Sequence, residues 1–259
     1  MQKYLIKIAY DGSCFHGWQI QPNGISVQEV IESALSKIAK RKIPIVGSGR
    51  TDTGVHALAQ YAHFYFPLQM SPEQIRLALR TKLPDSIRVT QVHLIQEELH
   101  ARFTASKRSY KYILTRAKNP FNRLYKSFVP YKRLDVEKMM KLTPCLIGQH
   151  DFASFCKPNP QIPNTVCDLT QFEIIQHDQD IIFYISANRF LHNMVRRLVG
   201  TLISFSHNDY QPDLLKDLLD AKVGNQNIIF TAPPNGLYLY KVNYPNFDKL
   251  VLESSIEEV

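Results

Sequence analysis

The chain has 259 residues, 44% of them hydrophobic and 11% aromatic, and 31 Lys and Arg against 23 Asp and Glu give a formal net charge of +8. That apolar and aromatic content excludes a disordered chain, and the length suits one large domain or two smaller ones packed together. No apolar run approaches the ~20 residues that span a bilayer, and the basic balance favours an acidic partner such as nucleic acid.

The N-terminal Met1-Gln2-Lys3-Tyr4-Leu5-Ile6-Lys7-Ile8 is broken by Lys7 and reads as a strand rather than a secretion signal. It continues to Tyr10 and stops at the turn signal Asp11-Gly12. Ser26 and Glu29 form a capping box before the helical stripe Val27, Val30, Ile31, Ala34, Leu35 and Ile38. The apolar run Ile43-Pro44-Ile45-Val46 and the alternating Tyr61 to Phe66 read as buried strands. Ser71-Pro72-Glu73-Gln74 opens a second helix, with proline at its tolerated first position. Strands follow over 87–95 and 109–115, and Asp135 caps a helix reaching toward Leu146. Two more strands, 172–175 and 181–185, are joined through His177-Asp178-Gln179-Asp180. Helices over about 191–205 and 212–221 precede a last strand over 237–242. The expected class is α+β with mostly antiparallel or mixed sheet: two halves, 1–103 and 104–245, with a cleft between them, then an acidic tail at 246–259 that frays or contacts a partner.

Cys14, Cys145, Cys156 and Cys167 form no C-x-x-C pair, and no H-E-x-x-H occurs. Reduced thiols in a cytoplasmic protein are expected, with no metal and no organic cofactor.

Charge is unevenly spread. From Ala101 to Arg133 the chain carries Arg102, Lys107, Arg108, Lys111, Arg116, Lys118, Arg123, Lys126, Lys132 and Arg133 without one Asp or Glu. Phe103, Tyr110, Tyr112, Phe121, Tyr125, Phe128 and Tyr131 are interleaved. A merely solvated face usually mixes signs; a single-sign stretch with rings suits phosphates and unstacked bases.

The strongest candidate for a reactive group is Asp52, in Ser48-Gly49-Arg50-Thr51-Asp52-Thr53-Gly54-Val55-His56-Ala57, a short glycine-punctuated loop between apolar runs. Loop aspartates often do no more than cap a turn or pair with a nearby arginine. Asp52-Thr53-Gly54 also spells the aspartic-protease tripeptide. Those enzymes need two carboxylates sharing a proton, and this chain has one such tripeptide with Arg50 beside it. A guanidinium about 4 Å away favours the ionised carboxylate by roughly 4 kcal/mol at an effective dielectric near 20. That suits a nucleophile or base and argues against a protease dyad.

The loop resembles the signature G-R-T-D-x-G-V-H-A of the TruA-type tRNA pseudouridine synthases. Four further stretches in the family order are similar: Tyr10 to Gln21 with Val27-Gln28, Lys107 to Tyr112, Asn188 to Gly200, and Pro233 to Leu239. The resemblance implies a cofactor-free isomerase that converts uridine to pseudouridine at positions 38, 39 and 40 of the tRNA anticodon stem-loop, and a homodimer. It makes Asp52 the catalytic carboxylate and Arg196 its partner, with Arg50 in electrostatic support of base flipping. Tyr110 stacks on the target uracil, Leu237 forms an apolar wall against it, and Lys107, Arg108 and Arg197 are substrate-binding cations. For Tyr112 the residues favour a packing role. Two positions depart from the family pattern: Thr53 replaces an alanine and Arg189 a glycine.

Pseudouridine formation detaches uracil at N1, rotates it and rejoins the ribose through C5. An anionic carboxylate could attack ribose or base, or act as a base in a glycal route, and the residues do not choose among these. Reaching a stem base requires everting it at a cost of a few kcal/mol, offset by stacking on Tyr110. The rival from another class is a non-catalytic tRNA- or RNA-binding paralogue; intact Asp52, Tyr110 and Arg196 argue against it.

Overall fold

In chain order the elements are β1 (Gln2–Tyr10), α1 (Val27–Ala39), β2 (Val46–Gly47), β3 (His56–Phe66), α2 (Pro72–Arg80), β4 (Ile87–Ile95), β5 (Lys107–Thr115) and β6 (Ser127–Phe128). There follow α3 (Val136–Leu142), β7 (Gly148–Asp151), β8 (Val166–His177), β9 (Asp180–Ala187), α4 (Met194–Asn208), α5 (Asp213–Asp220), β10 (Leu237–Asn243), α6 (Phe247–Leu250) and β11 (Val251–Ser254). This computed structural model describes residues 1–130, 134–208, 210–222 and 228–257. Tyr131, Lys132 and Arg133 of the basic stretch and Glu258 of the tail lie outside the described residues. The class is α+β with mostly antiparallel sheet, divided into one unit of Met1–Ser106 with Leu239–Val259 and another of Lys107–Tyr238.

In the first unit β1 is central, antiparallel to β3 on one side and β4 on the other. Its run of apolar residues is buried almost throughout. Ser26 Oγ takes the Glu29 N–H at the start of α1, and a complete reciprocal capping box forms at α2 between Ser71 and Gln74. The order of this sheet is β11-β4-β1-β3, with β2 on β3.

Two expectations in this unit are corrected. The first concerns residues 43–45, which form no strand although Ile43 and Ile45 are buried. Ile43 N–H donates to Ser36 Oγ (2.9 Å) and Ile45 N–H to Glu32 Oε1 (3.0 Å), so polar side chains of α1 satisfy this backbone. Pro44 has no N–H for a sheet ladder, and only Val46–Gly47 pairs with β3. The second is the acidic tail, which is docked rather than frayed as far as Glu257. β11 covers the edge of β4, Ser255 exchanges bonds with Val92 (2.8 and 2.9 Å), and Glu257 pairs with Lys7. An open β4 edge would leave N–H and C=O groups unpaired, and the tail removes that liability.

In the second unit the antiparallel order is β5-β9-β8-β7, with β6 parallel to the end of β5. Helix α3 stops at Leu142 instead of reaching Leu146. Pro144 cannot continue the N–H ladder, Thr143 takes the Met140 carbonyl, and a 3-10 turn follows. Helix α4 starts at Met194 rather than 191. Asn193 is left-handed (φ 63°), and Leu191 to Met194 form a turn closed by Met194 N–H to the Leu191 carbonyl (3.1 Å). His192 therefore precedes the helix and is not one turn before Arg196 on its surface.

Candidate active site

Asp52 sits at the first position of a turn closed by Val55 N–H to the Asp52 carbonyl (3.1 Å), with Gly54 at φ 77° in the third position. A positive φ there belongs to a type II turn and requires glycine or asparagine. The Asp52 side chain is half-buried, Arg50 and Thr53 are exposed, and Thr51 is buried between them. Upstream, Ser48 N–H donates to the Tyr61 carbonyl (2.7 Å). The fully buried Gln60 accepts from Ser48 Oγ (2.5 Å) and donates to the Gly49 carbonyl (2.9 Å). One amide on β3 thus fixes the first half of the loop.

The segment after β1 fixes the second half. Trp18 N–H donates to the Thr51 carbonyl (3.1 Å), and the Tyr10 hydroxyl lies 2.7 Å from Thr51 Oγ1. Gly17 has φ 81°, and a Cβ there would stand 2.6 Å from the Thr51 carbonyl oxygen and 3.1 Å from the Asp52 carbonyl carbon. A Cβ on Gly12 would overlap the Val55 carbonyl oxygen at 2.0 Å, and one on Gly47 would meet the buried Trp18 ring at 2.6 Å. Backbone lies on backbone here. The Tyr10 to Gln21 segment brings no reactive group, and its work is to hold the Asp52 backbone in one pose. The sequence signal was present in its two glycines and tryptophan, but nothing in the spacing says what they touch.

In the second unit Tyr110 lies on β5, buried, its ring edge-on to Phe190 with centroids 5.1 Å apart. Tyr112 is fully buried and donates to the Pro233 carbonyl (3.0 Å), and burial pushes its phenol well above the usual range. Packing is its role, as expected. Arg196 Nε donates to the Ala232 carbonyl (2.7 Å) and Nη1 to Asn193 Oδ1 (3.1 Å), while Ala232 N–H returns a bond to the Arg196 carbonyl (3.1 Å). Its positive charge is close enough to oppose the upward shift of Tyr112. The backbone of 230–232 comes this near because α4 has glycine at 200, where a Cβ would stand 2.1 Å from the Phe230 carbonyl oxygen. Gly236 likewise lets the closing segment lie on β5, with its would-be Cβ 2.6 Å from the Ile113 carbonyl oxygen. Leu237 follows, buried, at the start of β10. The unit thus gathers Arg196, Tyr112 and the 230–237 segment around β5.

A model of the tRNA pseudouridine synthase family matches residues 6–104 and 144–245. The chain belongs to this family. It is 38% identical over 249 residues to tRNA pseudouridine synthase A of Exiguobacterium sibiricum, covering 96% of this chain and 99% of that one. It is 41% identical over 249 residues to tRNA pseudouridine synthase A 1 of Bacillus cereus (95% and 100% covered), and 39% identical over 252 residues to tRNA pseudouridine synthase A of Bacteroides thetaiotaomicron (95% and 91%). The family match encloses Asp52, Arg196, Arg197 and Leu237. Lys107, Arg108 and Tyr110 fall between its two segments, within the span of the relatives.

In this pseudouridine synthase, two of the predicted substrate-binding cations are tied to backbone. Arg197 Nη1 donates to the carbonyls of Cys156 (2.6 Å) and Ser154 (3.3 Å), and Arg108 Nη1 to that of Asn188 (3.0 Å). Lys107 is half-buried at the head of β5. Arg189 Nη2 holds the Asn164 carbonyl (2.9 Å), so the arginine that replaces a family glycine braces the loop before β8. A cavity of about 340 Å³ opens between Ala153, Cys156, Pro158, Ile162 and Leu191; neither Tyr110, Arg196 nor Leu237 lines it. Among the described residues no three His, Cys, Asp or Glu side chains group as a metal site, and no helix is long and apolar enough to cross a membrane.

Proposed function

We propose that this chain converts uridine to pseudouridine at positions 38, 39 and 40 of the tRNA anticodon stem-loop, with Asp52 as the reacting carboxylate and no cofactor. The observation that carries the reading is the way Asp52 is held. Its backbone is clamped from both sides by Gln60, Trp18 and the close approach of Gly17, while its side chain stays half-exposed. A reactive group must be fixed to be productive, because a misplacement of 1 Å costs about 10² in rate. A carboxylate that merely capped a turn would need no such clamp.

The reaction breaks the N1–C1′ bond, forms a C5–C1′ bond, and releases the C5 proton while N1 gains one. No electrons enter or leave. Asp52 supplies the anionic oxygen that attacks ribose or base, or removes a ribose proton. Arg196 is the cation that stabilises it, and its bonds to Ala232 and Asn193 hold its guanidinium in a defined pose. Arg50, exposed on the same loop as Asp52, supports the everted base. Tyr110 stacks on the uracil, with Phe190 bracing its edge, and Leu237 is the apolar wall. Lys107, Arg108 and Arg197 belong to the substrate-binding surface, the latter two through the loops they hold. The working form is a cytoplasmic homodimer gripping one tRNA.

Position-by-position mapping of pseudouridine in an unmodified tRNA after incubation with the protein tests the reading. Product confined to 38–40 supports it, and product elsewhere in the tRNA rejects the anticodon-arm assignment.

A further inference from the structure

Phe121 is 90% exposed, the most exposed of the large hydrophobic side chains among the described residues. A phenylalanine left in water forgoes the ~1.5–3 kcal/mol that its burial would give, and Leu124, Tyr125 and Phe128 of the same stretch are exposed as well, so several rings face solvent on a fixed backbone. The loop that carries it, residues 116–126 between β5 and β6, is fixed. Phe121 N–H donates to Asn119 Oδ1 (2.9 Å), and Tyr125 and Lys126 N–H both donate to the Asn122 carbonyl (2.9 and 3.0 Å). The closing segment then pins the loop from below. Asn235 Nδ2 donates to the carbonyls of Arg123 (2.7 Å) and Lys126 (2.9 Å), and the Tyr238 hydroxyl to that of Tyr125 (2.7 Å). Lys126 also pairs with Asp180 on β9. The backbone is thus held by side chains from two other elements while the ring at its tip projects into solvent.

Charge selects the occupant. Lys118 and Arg123 are exposed on either side of Phe121, Arg116 and the Asp180-paired Lys126 stand at the ends of the loop, and no acidic residue occurs from Ala101 to Arg133. A protein partner would be served by charges of both signs. A rigid, exposed aromatic face amid cations fits an unstacked base whose phosphates lie on the surrounding lysines and arginines. We infer that Phe121 is a stacking platform for a single-stranded or everted nucleotide of the RNA substrate, with Asn235 and Tyr238 as the residues that position it. This rests on the proposed tRNA activity and adds to it a contact separate from the reacting uridine, which Tyr110 serves.

The chain has one tryptophan, Trp18, and it is 3% exposed, so Phe121→Trp adds one solvent-facing indole, and the same titration of wild type gives the Trp18 signal to subtract. Titration of F121W with unmodified tRNA is expected to quench the new emission, with the midpoint rising as salt is added. Phe121→Ala and Phe121→Leu weaken tRNA binding by about 5- to 150-fold, the range expected when one base loses its stacking partner, while Phe121→Trp retains it. Asn235→Ala, which releases the Arg123 and Lys126 carbonyls, weakens binding and reduces the F121W quench; circular dichroism controls for folding. Wild-type tritium release from C5-labelled tRNA, measured alongside, judges the activity separately. If wild type turns over while F121A binds within twofold and F121W emission ignores tRNA, the platform is overturned and the activity stands. Leucine serving as well as phenylalanine, or F121W responding to anionic vesicles but not to tRNA, also overturns it. A wild-type chain that binds no tRNA overturns both.

Discussion

Gly17→Ala tests the clamp on the Asp52 loop. Two costs arise at this position. Alanine at φ 81° leaves the comfortable region of the backbone map, worth about 1–2 kcal/mol. Its Cβ would also stand 2.6 Å from the Thr51 carbonyl oxygen, a distance that must open by roughly half an ångström, and overpacking of this kind costs about 1–3 kcal/mol. Both colliding groups are main chain, so no rotamer change relieves them. Either the Trp18 N–H to Thr51 carbonyl bond breaks or the whole 51–53 stretch shifts, and Asp52 moves with it. The expected outcome is a loss of about 2–5 kcal/mol in urea unfolding. Turnover in the tritium-release assay should fall about 10- to 100-fold at saturating tRNA. Gly49, in the same loop, is the control. A Cβ there meets nothing within 4 Å and its φ is ordinary, so Gly49→Ala should stay within about 0.5 kcal/mol of wild type. A Gly17→Ala protein with wild-type stability and turnover, or equal damage from Gly49→Ala, would refute the clamp.

Gly200→Ala should destabilise by about 1–3 kcal/mol despite alanine's better helix propensity, because its Cβ would lie 2.1 Å from the Phe230 carbonyl oxygen; a gain in urea stability contradicts the close crossing. His63 and His93 are buried neutral, pushed down from 6.5 to about 4 first by burial, with His100 and Lys3 adding to His63 and Lys7 to His93, against the opposing pull of Glu97 and Glu257. The unfolded chain therefore takes up protons first as pH falls below 6.5. Stability is fully present above that value and declines through the window down to about 4, at roughly 1.4 kcal/mol per pH unit per histidine. Unfolding free energies at pH 6.5 and 5.0 should differ by about 3 kcal/mol from this pair, and His93→Phe should reduce the slope; identical slopes for wild type and variant contradict it. Lys107→Ala or Arg108→Ala should flatten the salt dependence of tRNA binding by about 0.7–0.9 in log–log slope for each phosphate no longer neutralised, read by filter binding; an unchanged slope moves the footprint elsewhere.

The element pattern was largely legible because burial alternates as the residues do: β1, β4, β5 and β9 stand where periodicity placed them, β8 extends the expected 172–175 to Val166–His177, and Ser26, Ser71 and Asp135 cap the helices they precede. The misses share a cause. Residues 43–45 look like a strand because Ile43 and Ile45 are buried, but which partner satisfies their backbone is a tertiary matter, and α1 side chains won. The start of α4 was misjudged because Asn193 adopts a left-handed conformation that asparagine tolerates and sequence does not announce. At the site, reactive residue types stood out by chemistry, while the groups that hold them did not. Gly17, Gly12 and Gly200 act through what a missing Cβ permits. Gln60 and Asn235 act through bonds to main-chain carbonyls that are distant in sequence. The bonds of Arg197 to the carbonyls of Ser154 and Cys156 were likewise not legible, because a helical arginine is by default a solvated surface group.

Tritium release from C5-labelled uridine in unmodified tRNA, compared between wild type and Asp52→Ala, bears most directly on the reading of Asp52. Wild type should release tritium and Asp52→Ala should release none, while both bind tRNA with similar affinity. Release at an undiminished rate by Asp52→Ala would contradict it.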